Sequence, residues 1–142
     1  MDLTIPLENV TLNIRVAVLV KKDGGFVLEK NKDGYYFPIG GRVKAGETSL
    51  EATKREILEE LGVAVESLSL KGVIENFFDI GSEHVQEICF VYTIQDMNNL
   101  KLGDEFVAYT VDQIDTIDFR PQNIKEIMNA VDGKILHLIM KE

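Results

Sequence analysis

Three glutamates stand within five residues of one another, Glu56, Glu59 and Glu60, directly after Arg55. At ~100° per residue on a helix, Glu59 and Glu60 fall about 60° and 40° to either side of Glu56, so the three carboxylates share one arc. Like charges at i and i+4 destabilise a helix by a few tenths of a kcal/mol. Glu56 and Glu60 are such a pair, and no lysine lies four residues on to relieve any of the three. Arg55 can reach Glu59, but one guanidinium cannot neutralise three acids. A divalent cation would turn this arrangement to advantage. Magnesium takes hard oxygen ligands, keeps several waters and completes its shell with substrate phosphates. Taken alone, the triple glutamate is equally well read as a solvated helix face.

The flanking residues favour the metal. Gly40 and Gly41 let backbone approach the helix closely, and Gly46 permits a turn that a side chain would block. Glu47 sits just before the helix, at its positive end. From there it can brace the loop or reach Arg55. Leu50, Ile57 and Leu61 lie ~100–140° from Glu56, with Leu58 at the edge, and turn the other side of the helix to a core.

These residues need a scaffold, and the chain offers one. Leu12–Val20 is dense in β-branched residues and reads as a strand. Lys22-Asp23-Gly24-Gly25 is a turn and Phe26–Glu29 a return strand. Tyr35–Phe37 is a short strand inside a glycine-punctuated loop from Gly34 to Gly46. The acidic helix runs from Thr48 to Leu61 and stops at Gly62. Leu68–Phe78 and Val85–Ile94 pair through Gly81-Ser82, and Phe106–Val111 is another strand. A second helix begins near Pro121. Its stripe of Ile124, Ile127, Met128 and Val131 faces the core, Asp132-Gly133 ends it, and Lys134–Met140 returns as a strand. Strands interleaved with two helices predict an α/β fold, an α/β/α sandwich around a mixed β-sheet.

The bulk composition sets limits. The 142 residues make one domain, residues 1–142, with no repeat or linker, and 45% apolar residues suffice for a core. Asp and Glu outnumber Lys and Arg by 24 to 15, a net charge of −9 without a basic cluster. That argues against a nucleic-acid polymer as partner. A small polyphosphate remains open to an acidic protein if a metal reverses the local field. No apolar run is long enough to span a membrane, and a cytoplasmic location is expected. The single cysteine, Cys89, excludes an internal disulfide and reads as core.

Gly41–Val63 fills every fixed position of the Nudix box, G-x5-E-x7-R-E-U-x-E-E-x-G-U with U a bulky aliphatic, here Ile57 and Val63. On this segment the chain is identified as a member of the Nudix (MutT-like) hydrolase family. The resemblance implies a mixed sheet between helices, with the box as a loop–helix–loop. It implies that Glu56, Glu59 and Glu60 bind Mg2+, with Mn2+ as a substitute, and that Glu56 doubles as the base for water. Arg55 and Glu47 resemble the supporting pair that orients them, and Gly41 and Gly46 shape the loop. The implied reaction is water attack on a phosphorus of a nucleoside diphosphate linked to another group.

Outside the box the match is looser. Gly103-Asp104-Glu105-Phe106 resembles the Gly-Glu-Trp run of the MutT branch, which makes Glu105 the candidate fourth acid. Glu87 competes for that role. Asn123 resembles the position that hydrogen-bonds a purine, and reads equally well as a first-turn helix residue. Arg15 is a candidate for substrate phosphate, Phe37 for stacking on a base, and Gly40 for close backbone approach. Ile39 departs from the pattern by separating Pro38 from the two glycines. The marker proline of ADP-ribose pyrophosphatases and the tyrosine of dinucleoside polyphosphate hydrolases are missing from their places. A second reading is a Nudix domain that binds nucleotide as a sensor or scaffold without cleaving it, although such domains commonly lose box acids. An isomerase on this fold would need a catalytic cysteine that Cys89 fits poorly. Either way the partner is a small nucleotide, and the reading leaves a homodimer open.

Overall fold

The computed structural model describes residues 1–131 and 133–141. Among them, eight strands form one mixed sheet. They are β1 (Thr4–Leu7), β2 (Val10–Lys22), β3 (Gly25–Lys30), β4 (Tyr36–Arg42), β5 (Ser69–Ile80), β6 (Glu83–Ile94), β7 (Phe106–Tyr109) and β8 (Leu136–Lys141). The order is β7-β3-β4-β2-β6-β5-β8, with β1 paired to β2 off that path. The β2–β6 and β5–β8 pairs are parallel and the others antiparallel.

Strand β2 shows why helices must cover both faces. Val16, Ala17, Val18, Leu19 and Val20 are all buried, so the strand has no solvent side over this stretch. Its alternate residues feed two cores. Val18 and Val20 pack with Ile39 and Ile57 beneath α1 (Ser49–Leu61). Ala17 and Leu19 pack with Ile114, Phe119, Ile124 and Ile127 beneath α2 (Val111–Ile114) and α3 (Ile124–Met128). The α/β/α layering expected from the sequence is therefore present.

Helix α1 is set by its ends. Thr48 accepts from the Glu51 N–H, and the Glu51 carboxylate accepts from the Thr48 N–H, a reciprocal capping box. At the other end Gly62, with φ of 70°, returns its N–H to the Leu58 carbonyl. Ile57 is buried while Leu58 is half exposed, as the apolar arc requires.

Four expectations need correction. The strand at Phe106 stops at Tyr109 because Thr110 and Gln113 form a second capping box, which turns Val111 into the start of α2. The second helix is short, beginning at Ile124 rather than near Pro121 and ending at Met128. Val131 is consequently 69% exposed and is not part of the core stripe. Of the expected stop, Asp132 lies outside the described residues. Tyr35–Phe37 is not an isolated strand within a loop: β4 runs on through Gly40 and Gly41, which pair with Ala17 and Val16 of β2. A Cβ on Gly40 would lie 2.2 Å from the Val16 carbonyl oxygen, so only glycine allows this register. The N-terminal strand β1 was not anticipated.

Candidate active site

Arg55 is the hub of the acidic helix. Its Nε and Nη2 donate to the two oxygens of Glu47 at 2.7 and 2.9 Å, a forked pair. Nη2 also donates to the Arg42 carbonyl at 3.0 Å, which ties the helix to the end of β4. Nη1 donates to Glu56 at 2.9 Å and, at longer range, to Glu59 at 3.4 Å. Glu47 in turn accepts the Lys44 N–H at 2.8 Å and so closes the loop ahead of the helix. Glu47 thus both braces the loop and holds Arg55. The Arg55 hydrogen bonds lower the Glu47 carboxyl to about 2, and the same contacts raise Arg55 above its usual range.

Glu56 is 8% exposed and lies against β4. Burial raises its pKa, and the Arg55 hydrogen bond opposes that rise. Its place depends on Gly41, where a Cβ would stand 2.2 Å from Glu56 Oε1. Sequence reasoning missed a further acid, Glu29, on β3. Burial first, then the neighbouring Glu60, with Glu105 and Glu56 adding to it, pushes the Glu29 carboxyl up to about 7. Gly103 gives room to the Glu105 carboxylate, 3.1 Å from where a Cβ would be.

Among the described residues, no three acidic, histidine or cysteine side chains converge on one point. The contacts explain this, because Glu56 and Glu59 turn to Arg55 while Glu60 turns to Glu29. The donor set still fits a hard cation. It is all carboxylate, it is crowded, and Gly41 keeps open a cradle that any side chain would fill.

The other face of the sheet carries a cleft of about 630 Å³. Arg15, Gly40, Phe37 and Glu87 line it, with Tyr35 and Arg120 also on its wall. Arg15 pairs with Glu87 at 3.5 Å, and burial raises the Glu87 pKa against that pairing. The Arg120 guanidinium lies 4.2 Å over the Tyr35 ring while Asp118 holds it by two hydrogen bonds. Cys89, read from sequence as core, is half-buried and lines the cleft, its thiol pushed up to about 12 by burial. Asn123 occupies the N-cap position of α3 but is buried with neither side-chain polar atom hydrogen-bonded, so its side chain caps nothing.

The structure thus brings Glu47, Arg55, Glu56, Glu59 and Glu60 together on the α1 face, with Glu29 beside Glu60 and Glu105 next to Glu29 across the β3–β7 pairing. Arg15, Phe37 and Gly40 gather in the cleft. Glu87 faces the cleft and not the acidic helix, which separates it from Glu105. Gly41 abuts Glu56, one residue along the strand from Gly40 in the cleft. The one sequence signal for Glu29 was strand alternation, which puts it on the side of Val27. Which helix covers that side is not written in the strand itself.

A family model, NUDIX domain, matches residues 11–131. The chain is 25% identical to the uncharacterized Nudix hydrolase YvcI of Bacillus subtilis, over 87% of this chain and 76% of that one. It is 34% identical to an ADP-ribose pyrophosphatase of Methanocaldococcus jannaschii, over 65% of this chain and 56% of that one. In fold it resembles the mutator MutT protein of Bacillus halodurans, with a TM-score of 0.68 and 22% identity over 91% of this chain and 90% of that one. With the match spanning most of the chain and every position of the box filled, the protein belongs to the NUDIX domain family and is a Nudix pyrophosphohydrolase.

Proposed function

We propose that the chain hydrolyses a phosphoanhydride in a nucleoside diphosphate linked to another group, a nucleoside triphosphate or a small nucleotide conjugate, with Mg2+ or Mn2+ as cofactor. The observation that carries this reading is the Gly40-Gly41 step on β4. Gly40 borders the cleft and Gly41 cradles the Glu56 carboxylate, so adjacent backbone residues link a nucleotide-sized cleft to the acid set.

Glu56, Glu59, Glu60 and Glu105 would hold the cation. When bound, it offsets charge on the phosphate oxygens and lowers the pKa of its water. Glu56, its pKa raised by burial, accepts the proton of the attacking water, and Arg55 fixes its orientation. The water oxygen bonds to phosphorus as the bridging P–O bond breaks, giving a nucleoside monophosphate and the phosphorylated remainder. In the cleft, Arg15 meets substrate phosphate and Phe37 stacks on the base, while the unpartnered Asn123 amide, buried next to the lining residue Ile124, serves the base edge. The similar ADP-ribose pyrophosphatase supports a substrate built on a nucleoside diphosphate.

The test is a panel of nucleoside triphosphates and nucleotide conjugates, read by phosphate or pyrophosphate release in 18O-labelled water. Turnover that requires Mg2+ or Mn2+ and stops with chelator is expected, and the label locates the attacked phosphorus. Tight nucleotide binding without product would replace this reading with a sensor.

A further inference from the structure

We infer that Glu29 is part of the set of side chains that holds the divalent cation. It neighbours Glu60 and Glu105, and none of the three has an ion-pair partner among the described residues. This rests on the metal-dependent reading above, and it concerns a residue outside the box and outside the fourth-acid position.

Strand alternation places it. Val27 packs with Val18 and Ile57 beneath α1, so Glu29, two residues on, faces the same side near the end of that helix. There its carboxyl group lies within hydrogen-bonding reach of Glu60. The register with β7 brings in the third acid: Glu29 stands opposite Phe106, and the Lys30 N–H donates to the Glu105 carbonyl at 2.8 Å.

The cations are partitioned unevenly. Arg55 serves Glu47, Glu56 and Glu59. Among the described residues, no Lys, Arg or His is ion-paired with Glu29, Glu60 or Glu105. Lys30, the nearest cation in sequence, is turned to the opposite face, 6.0 Å over the Tyr36 ring. The plain alternative is a strand-end acid that faces solvent. Half-burial against Glu60 argues against it, because an acid that only needed water would gain by turning away from another carboxylate.

The experiment is Mn2+ binding to the nucleotide-free protein, followed by EPR, for the wild type, Glu29→Gln and Glu66→Gln. Glu66 is exposed and lies outside α1, in the segment before β5, so its variant controls for the loss of one net charge. Glu29→Gln should weaken Mn2+ binding about tenfold or more, in the range seen when groups supporting a metal site are lost. Glu66→Gln should leave it within about twofold, an effect the size of screened long-range charge. Melting without metal keeps the test sound: Glu29→Gln should melt no lower than wild type, since a like charge is gone, and Mn2+ should raise its melting point less. Equal Mn2+ affinity in wild type and Glu29→Gln overturns the inference and leaves the hydrolase reading standing. A wild type that binds no Mn2+ overturns both. Normal Mn2+ binding, weakened in Glu29→Gln, without hydrolysis of any nucleotide removes the hydrolase reading alone.

Discussion

The face of the sheet under α1 and the face that carries the cleft differ in how their charges are held. On the α1 face, acids crowd around one arginine, and two glycines keep backbone and side chains out of their way. On the cleft face, the Arg15–Glu87 and Arg120–Asp118 pairs stand beside aromatic and apolar walls, and an orphaned Asn123 is buried next to the lining residue Ile124. The first gathers negative charge that the proposed cation would offset. The second has mostly apolar walls with a few polar groups, the usual composition of a small-molecule site. In the proposed function, chemistry and recognition are thus separated by the thickness of one strand.

Substitutions on the two faces should therefore divide between turnover and binding. The largest effect is expected at Glu56. Glu56→Gln should lower kcat by about 10²–10⁴-fold with the circular dichroism spectrum unchanged, and near-normal turnover would remove Glu56 from the chemistry. Gly41→Ala comes next. Its new Cβ meets the Glu56 carboxylate, and a displacement of about 1 Å can reduce kcat as much as a hundredfold. Saturation kinetics would show whether KM stays put, as the separation of faces requires.

Arg55→Lys keeps the charge but loses the forked contact with Glu47, and kcat should fall about 10–100-fold. The same contact has a pH signature. The folded Glu47 pKa, about 2, lies below its ordinary value of 4.5. Its stabilisation is thus complete above 4.5 and is lost as pH falls towards 2. The melting temperature of Glu47→Gln should accordingly drop less than that of wild type over this acid range, and parallel curves would refute the assignment. The smallest effect belongs to the cleft. Asn123→Leu removes two unsatisfied buried atoms, which cost about 1–3 kcal/mol when left unpaired. The melting temperature should hold or rise while KM increases several-fold. An unchanged KM would show that the amide does not meet substrate.

Much of the α1 face was legible in the order of residues. Helical periodicity alone puts Glu56, Glu59 and Glu60 on one arc, and Arg55 reaches back to Glu47 because the intervening turn is tight and local. The strands Leu12–Val20 and Val85–Ile94 announced themselves by β-branched density. The misreadings came where local chemistry competes. Thr110 and Gln113 cap a helix in what looked like a strand, and the stripe ending at Val131 outran its helix.

What the chain could not disclose by itself was proximity between segments distant in sequence. Glu29 meets Glu60, and Glu87 parts from Glu105, only once strands align in a given order and register. The cleft likewise exists only after β2, β4, β5 and β6 lie side by side. Period and spacing determine which face of its own element a residue occupies. Sheet order decides what that face sees, because pairing is set by the burial of whole elements rather than by any one residue.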